Sequence, residues 1–375
     1  MTIQTRLIES VAGLTELGPR YDALVRGAGD AGVFYEIGWL ERAWPYYHRR
    51  LGGTMAFVIA EQGDALVGLA PLVLVTRSWT QARRRLLGFV GGTGDELANW
   101  MPAFLFASED AHERPRIMSA LADGISQLAW DQLDLRSVRD ACPSVKVLGD
   151  RLSGLSAERE RLTTPRVRLD GGWDRYWAGR SKRLLRMIDR GLSRAAADGL
   201  AVRHDVTPGV PLASRQSAAA LHRARQDQVR SAGRARNSPF DSPQDEAVFW
   251  SLIDWATERG SARTHWLTIG DRVAAYIVTL HCGGTTFTYL NAMDPSADRY
   301  HPGSLVLAGL IEREATEYGA GVIDLMAGAN LTKSLFATEE LQSTRISVVN
   351  QERLVSRARA AWVQAARRVA ARLGR

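Results

Sequence analysis

Three stretches rich in β-branched and aromatic residues follow one another between Ala262 and Met293: ARTHWLTI, RVAAYIVTLHC and TTFTYLNAM. Only Gly270–Asp271 and Gly283–Gly284 separate them. Glycine pairs of this kind supply the positive φ that a tight hairpin needs. Three antiparallel strands are therefore expected here, and a sheet with an apolar face requires helices to cover it. A second hairpin is expected in MAFVIAEQGDALVGLAPLVLVTR, turning at Gly63–Asp64.

Around each hairpin the sequence alternates helix and strand patterns. Before the first, Tyr21 to Val25 and Gly38 to Tyr47 have helical apolar spacing. After it come the strand RRRLLGFV, the glycine-rich loop Gly91–Gly94, the strand PAFLFA, a helix with Ile117, Leu121, Ile125 and Leu128 on one face, and the strand QLDLRSV. Around the second, a helix over 175–194 lines up Trp177, Leu184, Ile188 and Leu192. LAVRHDV reads as a strand, and Ala213 to Arg230 and DEAVFWSLIDWATERG as helices. SLVLAGLIEREATEYG is a further helix, VIDLMAG a strand, ANLTKS a loop and TRISVV a short strand. The two halves share one order of elements. The expected fold class is α/β (α+β), with two tandem domains, each a mixed, mainly antiparallel sheet flanked by helices. The expected boundaries are 1–150, a connector at 151–165, a second domain at 166–349, and a basic amphipathic helix at 350–375 with Trp362, Val369 and Leu373 on its apolar face.

Charge is segregated. Residues 1–165 carry 18 basic and 20 acidic groups, residues 166–236 carry 16 and 6, residues 237–349 carry 7 and 14, and residues 350–375 carry 7 and 1. The two basic segments suit anionic partners such as CoA, a phosphosugar, nucleic acid or a membrane surface. Arg183, Arg186, Arg190 and Arg194 recur at spacings that put them on one helix face. No apolar run approaches the ~20 residues of a membrane span. The first residues have no apolar signal region, so a cytoplasmic protein is expected. Two cysteines, Cys142 and Cys282, do not make a disulfide framework. The histidines lack HExxH or HxH spacing, so no metal is expected, and there is no GxSxG nucleophile elbow.

The stretch Arg299-Tyr-His-Pro-Gly-Ser304 joins a strand to a helix. Backbone N–H groups at Gly303 and Ser304 can hold a phosphate there, with Arg299 and His301 adding charge and hydrogen bonds. An ordinary turn with Ser304 near the N-cap accounts for the same residues.

From the strand FTYLNAM through this loop to ANLTKS, the sequence resembles the C-terminal half of GNAT-superfamily acyltransferases of the BioF2-like, cellulose-biosynthesis type, which are related to the Fem-type aminoacyl transferases. The pieces that match are Asp294–Pro295, Pro302–Gly303, the helix ending at Gly319, Asp324, Gly328 and Lys333. Upstream, the arginine-rich helix and Leu221–His222 through Arg225 also match. The resemblance spans about residues 170–345 and implies two tandem GNAT-like domains, the first degenerate.

The activity it implies is transfer of an acyl group from acyl-CoA to an amine or hydroxyl of a small molecule or saccharide. A second reading is amide formation from an aminoacyl-tRNA in peptide or natural-product biosynthesis, and a third is a non-catalytic binding protein on the same scaffold. The superfamily's acyl-CoA loop is Arg/Gln-x-x-Gly-x-Gly/Ala. Here Pro302 and Ser304 stand at its two small-residue positions, a departure that favours the tRNA donor. The resemblance places Lys333, one of only three lysines, near the reacting carbonyl. Asp324 can accept a proton, orient Lys333 or form a structural ion pair. His222 is a candidate base or a core histidine. Tyr289, read as sharing a strand face with Asn291, is a candidate general acid or a core tyrosine.

Overall fold

The structure, a computed structural model, describes residues 2–350 and Trp362, except 80–81, 91–101, 109, 111, 140–143, 153–154, 160–162, 232, 234–237 and 328–329. The Gly91–Gly94 loop, Cys142 and the expected helix of the basic tail lie outside the described residues. The chain divides into two compact units, Met1–Arg161 with Gln342–Arg375, and Leu162–Leu341.

The first unit contains β1 (Gln4–Ile8), α1 (Val11–Thr15), α2 (Pro19–Gly27), α3 (Ile37–Leu51), β2 (Gly53–Gln62), β3 (Ala65–Trp79), β4 (Ala82–Phe89) and β5 (Leu105–Phe106). It continues with α4 (Glu113–Ser126), β6 (Gln132–Arg139), α5 (Ser144–Arg151) and β7 (Leu155–Arg159). The second contains β8 (Thr164–Arg168), α6 (Gly172–Ala178), α7 (Lys182–Ala197), β9 (Val202–Pro208), α8 (Arg215–Ser231) and α9 (Pro243–Glu258). After these come β10 (Ala262–Ile269), β11 (Arg272–Cys282), β12 (Thr285–Met293), α10 (Pro302–Thr316), β13 (Val322–Asp324), α11 (Leu331–Phe336) and β14 (Glu339–Leu341). The last strand, β15 (Ser343–Val349), returns to the first unit.

The first sheet runs β1-β2-β3-β4-β6-β15-β7, with β5 beside β3. The second runs β14-β8-β13-β12-β11-β10-β9. Each is antiparallel except at one junction, β4–β6 in the first and β12–β13 in the second. Both expected hairpins form, with Gly63, Gly270, Gly283 and Gly284 at positive φ.

In the first unit, α4 lays Ile117, Met118, Leu121 and Ile125 on the apolar face supplied by Val58, Leu72, Leu87 and Leu133. Burial of each such side chain contributes about 1.5–3 kcal/mol. The helix comes so close that a Cβ on Gly68 would sit 2.4 Å from Ile117 Cγ2. In the second unit, α7 and α10 pack Leu184, Ile188, Leu305, Leu310 and Ile311 against Leu267, Ala275, Ile277 and Ile323.

Several local expectations change. The helix read over 175–194 is two, α6 and α7, because Gly179 ends one and the Ser181 hydroxyl caps the next by accepting the Leu184 N–H. The stretch read as a connector at 151–165 holds the end of α5, β7 and the start of β8. ANLTKS is not a loop: Asn330 caps α11. The strand TRISVV belongs to the first sheet, pairing with β6 and β7, because Ile346 and Val348 fill that core.

Candidate active site

Strands β12 and β13 run side by side for three residues, Thr285↔Val322, Thr286↔Ile323 and Phe287↔Asp324, and the pairing ends there. The pairing stops because β13 ends at Asp324 while β12 runs on to Met293, so the two strands part here. Just beyond this point, β12 carries a bulge: Thr279 of β11 pairs with Thr288 and Val278 with Leu290, leaving Tyr289 as the extra residue. A bulge re-aims side chains locally. Tyr289 is accordingly buried and stacked on Phe249 of α9, with ring centroids 6.1 Å apart, whereas Asn291 is exposed. The two do not share one environment as simple alternation suggests. Burial pushes the Tyr289 phenol well above its ordinary range, so it is protonated at neutral pH.

At the end of β13, Asp324 is fully buried. Its Oδ2 accepts from Arg166 Nε at 2.7 Å, and the two residues stand directly opposite each other in the β13–β8 ladder. Its Oδ1 accepts from the Met326 N–H at 2.9 Å. Met326 has φ +62°, a left-handed conformation that costs a non-glycine residue roughly 1–2 kcal/mol. The Met326 carbonyl accepts from Lys333 Nζ at 3.3 Å. Lys333 is half-buried on α11, its backbone N–H held by the Asn330 side chain at 2.9 Å. The far end of α11 is closed by Tyr176 and Arg180, which donate to the Phe336 carbonyl at 2.8 and 2.9 Å. The structure thus brings Asp324 and Lys333 into one network through a residue, Met326, and a partner, Arg166, that sequence reasoning missed. Cross-strand partners this far apart in the chain leave no local signal.

His222 on α8 is buried. The Ser238 hydroxyl lies 3.0 Å from its Nδ1, and Phe240 packs edge-on at 5.1 Å. Burial lowers its pKa to about 4, with Arg223 and Arg230 adding to the shift against an opposing Asp241, so the ring is neutral at pH 7. Among the described residues a sequence of rings, Phe240 and Phe249, links it to Tyr289.

The expected phosphate loop forms a 3-10 turn at Pro295–Tyr300, followed by His301 at φ +53° and then α10. The Gly303 amide heads the helix. A Cβ at Gly303 would lie 3.2 Å from Met293 Sδ. Ser304 is buried, its hydroxyl turned 3.6 Å from Met187 Sδ and its N–H donating to the His301 carbonyl at 2.9 Å. Arg299 is paired with Asp198 and Tyr300. The Tyr300 hydrogen bond and the Arg299 charge hold Asp198 below the usual carboxylate range. Arg194 donates to the Arg299 carbonyl at 2.7 Å, and α7 approaches so closely that a Cβ on Gly191 would sit 2.4 Å from the Tyr300 carbonyl oxygen. Arg183, Arg186 and Arg190 are exposed on α7. The helix start suits a phosphate through its backbone and dipole, while the cationic side chains lie on α7.

Residues 181–334 match the family model for an acetyltransferase (GNAT) domain. The chain carries a GNAT domain. Its fold is similar to a solved structure of FemX (11% identity, TM-score 0.61, covering 93% of this chain and 98% of that one). It is also similar to a conserved protein of unknown function from Bacteroides thetaiotaomicron VPI-5482 (10%, 0.52, 93% and 100%). A third likeness is to a tandem GNAT protein from the clavulanic acid biosynthesis pathway (10%, 0.50, 92% and 98%). At these identities the likeness establishes the fold, two helix-flanked mixed sheets in tandem. No curated protein sequence matches the chain. The GNAT domain contains the parted strands, the Lys333 network and the α10 loop. Arg166 stands fifteen positions before the matched segment begins. Among the described residues no group of three or more His, Cys, Asp or Glu is placed to hold a metal, and no helix is long and apolar enough to cross a membrane.

Proposed function

We propose that this chain is an acyltransferase that moves an acyl group from acyl-CoA to an amine or hydroxyl of a small molecule or saccharide, at the parting of β12 and β13. The observation that carries this reading is the Lys333 ammonium, held 3.3 Å from the carbonyl of Met326, two residues beyond the end of the β12–β13 pairing. In the reaction the acceptor nitrogen bonds to the thioester carbonyl carbon and the C–S bond breaks. The thiolate leaves with the proton the amine loses. Lys333 stabilises the charge that develops on the carbonyl oxygen, and protonated Tyr289 is the candidate donor to the leaving sulfur, its phenol being restored by the proton the amine loses. Orientation of the two reactants supplies the rest of the acceleration. The donor's phosphates go to the Gly303 amide at the start of α10, with the arginines of α7 as the supply of positive charge.

The exposed row Arg183, Arg186 and Arg190 favours a second donor, an aminoacyl-tRNA, whose many phosphates would use the whole helix face. Donor binding across a salt series separates the two. A tRNA donor loses affinity steeply with salt, and replacing the three arginines by glutamine flattens the slope, whereas acyl-CoA responds mildly.

Lys333→Ala tests the catalytic assignment. Turnover is expected to fall roughly 10²–10³-fold, while stability changes by about 1 kcal/mol, the net value of a hydrogen bond. Near-normal turnover with saturating donor sinks the assignment.

A further inference from the structure

We infer that Asp324 and Arg166 are positioning residues that hold Lys333 in place through the Met326 turn, and that the Asp324 carboxylate is not the acceptor of the substrate's proton. This rests on the reading of Lys333 as the cation at the acyl carbonyl.

Both Asp324 oxygens are engaged, one by Arg166 Nε at 2.7 Å and the other by the Met326 N–H at 2.9 Å, and the side chain is fully buried. Taking a proton from substrate would require such a carboxylate to shed a partner in a site from which it has no exposed edge. What it does instead is geometric. An aspartate side chain that accepts the N–H two residues on closes a local turn. Here that turn contains a methionine at φ +62°, a conformation methionine does not adopt without support. The support comes from both sides. Asp324 catches the Met326 N–H, and the Leu325 N–H donates to the Pro165 carbonyl at 3.0 Å.

Arg166 fixes Asp324 in turn. It lies on β8, an interior strand between β13 and β14, facing Asp324 in one register and Glu339 in the other. Its own carbonyl is taken by the Thr338 N–H at 2.8 Å. The left-handed turn presents the Met326 carbonyl to Lys333 Nζ, while Asn330 fixes the Lys333 backbone. Arg166, Asp324, Met326 and Lys333 form one chain of contacts, in which the Asp324 acceptor, oriented by its Arg166 hydrogen bond rather than by charge as such, sets the Met326 turn and so where the ammonium sits.

The chain's three lysines make this readable without substrate. Reductive 13C-methylation keeps each lysine charged and gives separate NMR resonances for Lys146, Lys182 and Lys333. The Lys333 signal is assigned by its loss in Lys333→Arg. Asp324→Ala is expected to shift that resonance and to lower kcat roughly 10²-fold, the scale of a small misplacement, with KM within about twofold. The double variant Asp324→Asn with Arg166→Gln removes both charges but keeps an acceptor for the Met326 N–H. It is expected to keep the Lys333 resonance and most of kcat.

Three results overturn the inference: an unmoved resonance in Asp324→Ala, a shifted resonance in the double variant, or a folded double variant with its resonance in place and kcat as low as in Asp324→Ala. The last would make Asp324 the proton acceptor. If Asp324→Ala does not fold, the double variant's resonance decides. The reading of Lys333 fails separately, by retained turnover in Lys333→Ala, whereas the resonances report on the positioning chain alone.

Discussion

The two units of this protein are built on one arrangement, yet what they bury differs. In each, a hairpin and a further strand are followed by a helix and then a strand that joins the sheet in parallel. The first unit's parallel junction pairs Leu86 with Gln132 and Leu87 with Leu133, and Leu87 and Leu133 belong to an apolar core. The second unit's junction ends on a charged residue, Asp324. Among the described residues, every buried charged or imidazole side chain lies in the second unit: Arg166, His222, Asp245, His265, Glu314 and Asp324. Of the first unit's described non-aromatic polar side chains, Ser343 alone is buried. Burying a charge is costly unless it is paired. A unit that carries six such groups spends stability on geometry.

The largest expected effect comes from Glu314. This fully buried carboxylate on α10 accepts from Thr286 at 2.8 Å, contacts His265 Nε2 at 3.1 Å and lies 3.4 Å from Arg263. Glu314→Leu leaves buried Thr286 and His265 without their hydrogen-bond partner and half-buried Arg263 without its counter-charge, and is expected to cost about 3–5 kcal/mol in urea unfolding. A loss below 1 kcal/mol would mean the cluster is dispensable, and the contrast between the units would lose its energetic basis.

Next is Leu121→Ala in the first unit, expected to cost about 2–5 kcal/mol through the cavity it leaves. If this unit is scaffold, turnover per folded molecule stays unchanged. A specific loss of kcat in fully folded protein would place chemistry where the comparison puts only packing.

The pH dependence follows in size. Burial lowers His204, His222 and His281 to about 4 from an ordinary 6.5. Between these values the unfolded chain binds more protons than the folded one. Their contribution to stability is therefore complete above about pH 6.5 and is lost as pH falls towards about 4. At about 1.4 kcal/mol per pKa unit, discounted for partial exposure, each histidine contributes roughly 1–3 kcal/mol. For Glu314, burial raises the pKa but the His265 hydrogen bond, the His281 and His265 charges and the Thr286 hydroxyl outweigh it. Its net lowering acts in the same direction at lower pH. Urea midpoints measured from pH 7 to pH 4 should fall, and His204→Phe, which replaces a ring whose two nitrogens lack partners, should flatten the decline. A midpoint independent of pH would contradict the buried neutral histidines.

The smallest effect is that of one of the first unit's ion pairs. Arg345 meets Asp134 at 2.6 and 2.9 Å while remaining partly exposed. Asp134→Asn is expected to cost about 0.2–1 kcal/mol, as for other surface pairs. A penalty matching that of Glu314→Leu would erase the difference between the two units.

Much of this was legible in the sequence, and the limits have physical causes. Turn chemistry is local, so Gly63–Asp64, Gly270–Asp271 and Gly283–Gly284 gave all three hairpin turns. Helical spacing is local too, and it gave α4, α9 and α10. Caps were legible but passed over: Ser181 and Asn330 each announce a helix start, and reading them would have split the arginine-rich helix and turned the Lys333 loop into α11. The bulge at Tyr289 was not legible, because an unbroken β-rich run has no mark for the residue that drops out of register.

The sequence by itself determined the elements, their turns and the rarity of Lys333, since backbone propensity and short-range hydrogen bonds act within a few residues. Only the tertiary structure decided that Ser343–Val349 completes the first sheet, that Arg166 neutralises Asp324 from 158 residues away, and that Glu314 gathers two histidines and an arginine. Those choices depend on which strands become neighbours. That is settled by burying apolar faces across the whole unit, and a buried charge then takes whichever partner the register sets opposite it.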